Sequence, residues 1–165
     1  MSVSLPKTQL LVALLTIVAF CGSGCTTIGH TGQLKAMTTA EIEQAGNLVI
    51  YRADAEPTAW PVTIKIDGNS IASLRQGEAI ALDLRRAKSM IEYDWPLFSG
   101  QEDGMQTVDL AAEDQLFLEI GGSLSATGQT EPSLQFESSS FAKVVTPQIA
   151  KAALQECCTF QELKR

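Results

Sequence analysis

Four cysteines and a single histidine are the residues of this chain best suited to covalent or metal chemistry. Cys21 and Cys25 lie near the N-terminus, whereas Cys157 and Cys158 are adjacent to each other near the end of the chain. Adjacent cysteines do not have the spacing of zinc ligands, and His30 lies in a polar segment without a rigid scaffold. A catalytic triad needs such a scaffold to position its histidine. We therefore predict no metal site, no cofactor and no catalytic residues, and we expect the protein not to be an enzyme.

Cys157 and Cys158 nevertheless have chemistry of their own in an oxidising compartment. They can form a disulfide with each other, pair with a cysteine of another protein, or stay buried as small apolar side chains. A thiol-dependent role, either redox exchange or a disulfide to a partner, is therefore the alternative to a purely non-covalent function.

Residues 1–24 have the pattern of a secretory signal peptide. Lys7 provides a positive charge, and the uncharged run Leu10–Phe20 follows it. That run is too short to cross a bilayer, since a spanning helix needs roughly 20 apolar residues. A basic start, a short apolar segment and small residues after it are typical of a segment that is removed after export.

The residues that follow this run, Gly22-Ser23-Gly24-Cys25, resemble the processing box of bacterial lipoproteins. The resemblance implies cleavage before Cys25, acylation of this cysteine with palmitate among its chains, and loss of Cys21 with the signal peptide. Thr26 stands where that family places Asp to retain a lipoprotein in the inner membrane, so the resemblance also implies the outer membrane. We therefore expect the Cys25 lipid to anchor the protein in the outer membrane, with the domain on the periplasmic face.

The charge of the remaining chain restricts its partners. Residues 1–24 contain Lys7 and no acidic residue, so the mature chain has a net charge of 11 − 19 = −8. Such a surface repels nucleic acids and anionic headgroups, which argues against phosphate recognition. The expected partners are the membrane, through the N-terminal lipid, and a protein of the envelope. The composition indicates no particular small-molecule ligand.

A polar tether with one ordered element should connect the anchor to the domain over residues 25–46. Thr38 and Glu41 have the spacing of a capping box, and Met37 and Ile42 stand where a hydrophobic staple would form. Gly46 is a natural stop for this helix. The sequence thus predicts a short helix at the end of the tether.

Residues 47–165 change to short alternating segments separated by turn residues. In Val62–Ile66 (VTIKI) the apolar side chains share one face, and Asp67-Gly68-Asn69 supplies a hairpin turn. Eight or nine such strands, at spacings of roughly 8–12 residues and without helices between them, favour an antiparallel sandwich or barrel. We predict a mainly β fold, an antiparallel β-sandwich of about eight short strands followed by a C-terminal α-helix.

The C-terminal helix is predicted from a cap and an apolar stripe. Thr146 suits its N-cap, and Pro147 suits its first turn. The apolar residues that follow at helical spacing should face the sheet: Ile149, Ala153, Cys157 and Phe160.

Two stretches of this region carry a resemblance to a known family. Leu48–Arg52 (LVIYR) is followed by residues 62–84 (VTIKIDGNSIASLRQGEAIALDL), in which two strands joined by an Asp-Gly turn lead to a Gly-centred turn and a third strand. With the signal segment and a cysteine late in the last helix, these features resemble a family of bacterial lipoprotein domains of unknown function, related in style to PEGA and carboxypeptidase-regulatory-like sandwiches. Arg85-Arg86-Ala87 replaces the Pro-Gly that is common in that family. The resemblance implies the sandwich fold and no catalytic residue.

The remaining candidates concern surface recognition. Trp60 and Trp95 each precede a proline at a strand boundary, and two exposed indoles would suit an inhibitor or sugar-binding module. Burial of both is the preferred interpretation, because the chain has few aromatic residues to fill a sandwich. Glu92 and Asp94 share one face of a strand, which we expect to be solvated and not an acid/base pair. The Gly-rich segment Gly121–Pro132 is expected to be a disordered hairpin connection, with a recognition loop as the alternative.

Overall fold

The computed structural model describes residues 37–53, 60–111, 113–130, 133–161 and 163. The predicted signal peptide, Cys25 and His30 lie outside the described residues. Two α-helices occur within the described ranges, α1 (Thr39–Glu43) and α2 (Pro147–Cys157), together with a 3-10 turn at Leu97–Ser99. The strands are β1 Leu48–Arg52, β2 Val62–Ile66, β3 Asn69–Leu74, β4 Glu78–Leu82, β5 Lys88–Asp94, β6 Gly104–Asp109, β7 Leu116–Thr130, β8 Ser133–Val145 and β9 Thr159–Phe160.

The strands form two packed sheets. The five-stranded sheet has the order β8-β7-β1-β4-β9, and the four-stranded sheet has the order β3-β2-β5-β6. The inner core between them takes alternate side chains of each strand, as in β2, where Val62, Ile64 and Ile66 are buried and the two residues between them are half-buried. The predicted mainly β sandwich with a C-terminal helix is therefore confirmed.

A second apolar cluster covers the outer face of the five-stranded sheet. Val49 and Tyr51 of β1 point into this cluster, where α1 contributes Ile42 and α2 contributes Leu154. Because β1 is buried on both faces, all five of its residues are buried. This layer explains why β1 has no alternating pattern in the sequence.

Two strand pairs are parallel within the otherwise antiparallel sheets, and the sequence did not predict them. β1 pairs in parallel with β7, and β4 pairs in parallel with the short β9. Parallel pairs require long connections and are covered on their faces. Here the chain forms all four strands of the second sheet between β1 and β7, and it forms α2 before β9. Local alternation gives no information about such distant pairings.

Helix α1 begins with the predicted capping box. The Thr38 amide donates to the Glu41 carboxylate at 2.7 Å, and the Glu41 amide donates to the Thr38 hydroxyl at 3.2 Å. Met37 and Ile42 are both buried in the second cluster. Gly46 follows at φ +83°, and a Cβ there would lie 2.6 Å from the Leu82 carbonyl oxygen, so both the turn and the close approach require glycine.

Of the residues predicted to face the sheet, Ala153, Cys157 and Phe160 pack partly buried against the second cluster, whereas Ile149 does not, and the centre of the contact lies one residue further along α2. Ala150 and Leu154 are fully buried, and Cys158 follows them, whereas Ile149 is 64% exposed. The backbone of Thr146 occupies the N-cap and Pro147 begins the helix, although the Thr146 side chain makes no capping hydrogen bond. The two stripes are one residue apart and both are apolar, so helical spacing alone does not distinguish them.

The predicted disordered connection at Gly121–Pro132 is wrong for the residues that are described. β7 continues through this segment to Thr130, and β8 begins at Ser133, so the two strands form one long antiparallel hairpin. The hydroxyl groups of Ser123 and Ser139 lie 2.8 Å apart across the pair. Small and hydroxyl side chains therefore pair across strands here and do not form a loop.

Candidate functional site

The two most exposed large apolar side chains of the described residues lie in the loop between β5 and β6, Trp95–Asp103, which we call the apolar loop. Leu97 is 90% exposed and Phe98 is 82% exposed, and they are adjacent within the 3-10 turn. Single exposed apolar residues are ordinary, but a neighbouring pair presented at this level is a mark of an interaction surface.

Backbone and side-chain hydrogen bonds fix the conformation of the apolar loop. The Trp95 amide donates to Asp103 Oδ1 at 2.6 Å and so closes the base of the loop. The Ser99 amide donates to the Pro96 carbonyl oxygen at 2.8 Å, which forms the turn. Gly100 ends the turn at φ +72°, a conformation that favours glycine. The turn is thus built from local contacts that do not use the Leu97 and Phe98 side chains.

The long β7–β8 hairpin supports the same loop from one side. The hydroxyls of Ser138 and Ser140 donate to the carbonyl oxygens of Gly100 and Glu102, the second at 2.6 Å. The Gln101 side-chain amide donates to the Ser123 carbonyl oxygen at 3.3 Å. The serine-rich part of β8 therefore has a structural role, which is to hold the loop with Leu97 and Phe98 exposed.

A charged row crosses the outer face of the four-stranded sheet beside the apolar loop. In the strand register Lys65 of β2 is opposite Glu92 of β5, and Glu92 is opposite Met105 of β6. Met105 is 69% exposed, and Met90 lies diagonally from it at 38% exposed. This face thus places further apolar surface next to a carboxylate.

Lys65 is the cation of this row and faces several carboxylates. It forms an ion pair with Asp94. The hydrogen bond to Asp94 and the negative charge of Asp94 are the main causes that raise the pKa of Lys65. The charges of Glu92 and Asp103 raise it further. One lysine therefore neutralises a part of this acidic group. Glu92 and Asp94 share a half-exposed face of β5.

The adjacent cysteines lie at the end of α2, in the cluster on the outer face of the five-stranded sheet. A disulfide joins Cys157 and Cys158, whose Cα atoms are 3.7 Å apart. Cys158 is 1% exposed, whereas Cys157 is half-buried. The Cys158 sulfur lies 3.8 Å from the Arg52 carbonyl oxygen. Because a disulfide sulfur has no hydrogen to donate, this is a packing contact and not a hydrogen bond.

Arg52 links the residues that the sequence singled out separately. Its side chain is fully buried at the end of β1, and the guanidinium carbon lies 4.7 Å from the centre of the Trp95 ring. The same guanidinium donates to the Trp60 carbonyl oxygen. Burial lowers the pKa of Arg52. The sequence did not single out Arg52, although an arginine directly after the apolar run LVIY is a signal for a buried or partnered charge.

The two tryptophans therefore do not form an exposed platform. Trp95 is 6% exposed and belongs to the inner core, whereas Trp60 is 41% exposed. The preferred expectation of burial holds for Trp95 and is wrong for Trp60. Trp60 is placed by its backbone contact with Arg52, and this contact leaves part of the indole in solvent.

A groove of about 850 Å³ lies between α1, the turn before β7 and the start of α2. Its lining includes Phe117 and the acidic residues Glu43, Glu113 and Asp114. Lys151 pairs with Glu43 at 2.9 Å. Among the described residues, no group of three or more histidine, cysteine or acidic side chains is arranged to hold a metal ion. Carboxylates around a groove do not by themselves define a ligand, so we assign none to it.

Neither helix within the described ranges has the length and apolar content to cross a bilayer. No protein-family model matches the chain, and comparisons with curated proteins and with solved structures return no match either.

Proposed function

We propose that this chain is a lipoprotein of the outer membrane, anchored through Cys25, whose β-sandwich acts without catalysis as a binding module on the periplasmic face. Its partner would be another protein of the envelope, docked on Leu97 and Phe98. The resemblance of Gly22-Ser23-Gly24-Cys25 to a lipoprotein processing box supports the anchor. The single observation that carries the binding role is the exposure of these two adjacent side chains on a fixed loop.

A fixed loop lowers the entropic cost of binding. Ordering a mobile side chain or loop at an interface consumes part of the interaction energy, and a preorganised surface avoids that loss. Full burial of a leucine or phenylalanine side chain contributes about 1.5–3 kcal/mol. Leu97 and Phe98 together therefore suffice as the central anchor of a modest protein interface.

Site-specific photo-crosslinking in intact envelopes tests this role. A photoreactive amino acid at position 98 should yield a discrete adduct with a protein partner. The matched control places the same probe at Ile149, which is also exposed but lies on α2. Leu97→Ser combined with Phe98→Ser should abolish co-purification of the partner. Equal adducts from positions 98 and 149, or none from position 98, would refute the proposed surface.

The vicinal disulfide supports a second candidate, a thiol-dependent function. A thiolate of an external dithiol protein would attack Cys157, the more exposed sulfur, form a mixed disulfide with it and release Cys158 as a thiolate. The second thiol of that protein would then attack the mixed disulfide and release Cys157. The external dithiol is oxidised to a disulfide, and this chain gains two electrons and two protons.

Trapping the native redox state by alkylation, followed by mass spectrometry, tests this candidate. A redox role requires a fraction of molecules with both thiols free, and a partner-linking role requires an adduct at Cys157. In a Cys158→Ser variant the Cys157 thiolate should attack the disulfide of the oxidised partner protein, and the mixed disulfide should accumulate because no Cys158 thiol is present to displace the partner. A fully oxidised pair in every growth condition, without any adduct, would leave the disulfide as a structural bond.

A further inference from the structure

Resting on the proposed binding role of the apolar loop, we propose that the docking element of the partner is an apolar segment flanked by lysine or arginine side chains. The carboxylates of the apolar loop, Glu102 and Asp103, and those of the adjoining strand β5, Glu92 and Asp94, define this chemistry. A partner that buries the apolar pair would bring its own flanks against those carboxylates, so positive flanks are selected and negative flanks are excluded.

The carboxylates next to the loop are of two kinds. Glu102 and Asp103 belong to the loop itself and are exposed. Glu92 lies beside Met105 on the sheet face. Among the described residues Lys65 is the cation placed against this group, and its ion pair is with Asp94. The surface around the apolar pair is therefore net negative.

Four acidic residues elsewhere on the described surface have cations of their own. Ion pairs join Asp67 to Arg86, Asp109 to Lys88, Glu119 to Lys143 and Glu43 to Lys151. Beside the apolar loop the carboxylates of Glu92, Glu102 and Asp103 add to a negative charge that Lys65, already paired with Asp94, does not balance. Glu113 and Asp114 at the groove also make no ion pair with a described residue, but they do not adjoin an exposed apolar pair, so they provide a matched control.

Two other occupants fit this surface less well. A bilayer rich in anionic lipid would be repelled by the same carboxylates. A second copy of this chain would bring identical negative surfaces together around the apolar pair, which costs free energy for like charges in contact. Binding to anionic vesicles and dimerisation are therefore measured in the same experiment.

The test uses full-length protein in detergent and two labelled synthetic peptides. They have the same length and the same leucine positions, but one has lysine and the other glutamate at its remaining positions. Fluorescence anisotropy should show binding of the Leu/Lys peptide alone, with weaker affinity at high salt. The triple variant Glu92→Gln, Glu102→Gln and Asp103→Asn removes three charges. It should bind the Leu/Lys peptide about tenfold more weakly, since each exposed charge pair contributes modestly. Asp103→Asn keeps the oxygen that accepts from the Trp95 amide.

The controls separate this inference from the proposed function. Glu113→Gln with Asp114→Asn should leave the affinity for the Leu/Lys peptide unchanged. A loss equal to that of the triple variant would mean that the peptide responds to the overall negative charge of the protein. If both peptides bind alike and Leu97→Ser with Phe98→Ser removes both, the loop binds partners but the charge inference is wrong. If Leu97→Ser with Phe98→Ser leaves peptide binding unchanged, the apolar loop is not the binding surface, and the proposed function is wrong. Binding of the domain to anionic vesicles, or dimerisation lost with the double variant, would also overturn the inference.

Discussion

Arg52 occupies a position where a charged side chain is costly, and its contacts offset that cost. Its side chain is fully buried at the end of β1, packed on the Trp95 ring and bonded to the Trp60 backbone. A buried charge is retained when several groups satisfy it, and loss of one partner leaves the others desolvated. Arg52 therefore sets the position of Trp60 and closes one end of the inner core.

We expect Arg52→Met to destabilise the protein by about 2–4 kcal/mol, because the Trp60 carbonyl oxygen loses its donor and the ring loses its cation. Urea unfolding measures the change. Arg86→Met is the control, since Arg86 is exposed and its ion pair with Asp67 spans 3.2 Å at the surface. That variant should lose less than about 1 kcal/mol. Equal losses in the two variants would contradict the role given to Arg52.

Tyr51 gives the structure a defined response to alkaline pH. Its hydroxyl lies 3.5 Å from Glu119 Oε2 on the covered face of the five-stranded sheet. Burial raises the pKa of Tyr51 above its usual value of 10.0, and the charge of Glu119 adds to the shift. Above that usual value the unfolded chain has lost the phenolic proton while the folded protein keeps it. The free energy of unfolding must therefore fall as pH rises beyond this point.

Tyr51→Phe should remove this part of the alkaline loss. At neutral pH the variant should lose less than about 1 kcal/mol, since the hydrogen bond to Glu119 is long. Between neutral pH and about pH 11 its stability should then fall less than that of the unmodified protein. Lys65 also titrates with a raised pKa but is present in both proteins, so the difference isolates Tyr51. Parallel pH profiles would show that Tyr51 does not control the alkaline response.

Among the elements, α2 shows how two apolar stripes on one helix are distinguished. The outer face of the five-stranded sheet accepts Ala150 and Leu154, and Ile149 is left in solvent. Leu154→Ala should therefore cost about 2–5 kcal/mol, as expected for a buried leucine. Ile149→Ala should change stability by less than about 0.5 kcal/mol. Thermal and urea unfolding measure the loss of stability in both variants. A larger loss for Ile149→Ala than for Leu154→Ala would mean that Ile149 faces the sheet, as predicted from the sequence.

Strand periodicity predicted much of the fold because it is a local property. β2 and β5 alternate between the core and the surface as the sequence indicates, and the Asp67-Gly68 turn between β2 and β3 has the positive φ angles of a tight turn. The capping box of α1 was predicted for the same reason, since all of its atoms belong to four neighbouring residues. Elements whose signal lies within a few residues are thus accessible to sequence reasoning.

The elements that were not predicted depend on contacts between distant residues. The parallel pairing of β1 with β7 follows from the order of strands in the sheet, which no local pattern encodes. The Gly- and Ser-rich hairpin is ordered by pairing with its partner strand and by its contacts with the apolar loop. The exposed apolar pair of the loop was not predicted. A signal for it is present in the sequence, because Leu97 and Phe98 lie between Pro96 and Ser99-Gly100, which are residues typical of turns.

At the scale of the whole molecule, anchoring and recognition are assigned to different parts of the chain. If residues 1–24 are removed as proposed, the remaining chain has a net charge of 11 − 19 = −8 and no overall attraction to anionic lipid. Leu97 and Phe98 are a single apolar pair, which is too small to hold a protein on a bilayer by itself. Under the proposed lipoprotein role, the acyl chains on Cys25 would supply membrane attachment, and the apolar loop would stay available for a partner.

This division predicts opposite outcomes for two sets of variants. Cys25→Ser should abolish palmitate labelling and release the protein into the soluble fraction, because each buried methylene contributes about 0.8 kcal/mol and the domain offers no replacement. Cys21→Ser is the matched control and should change neither property, since Cys21 would leave with the signal peptide. Leu97→Ser with Phe98→Ser should stay in the membrane fraction but lose the partner. If Cys25→Ser remained labelled and membrane-bound, the anchor would lie elsewhere. If the loop variant left the membrane fraction, the loop would take part in anchoring. Anchoring and partner binding would then not be separate functions of different segments.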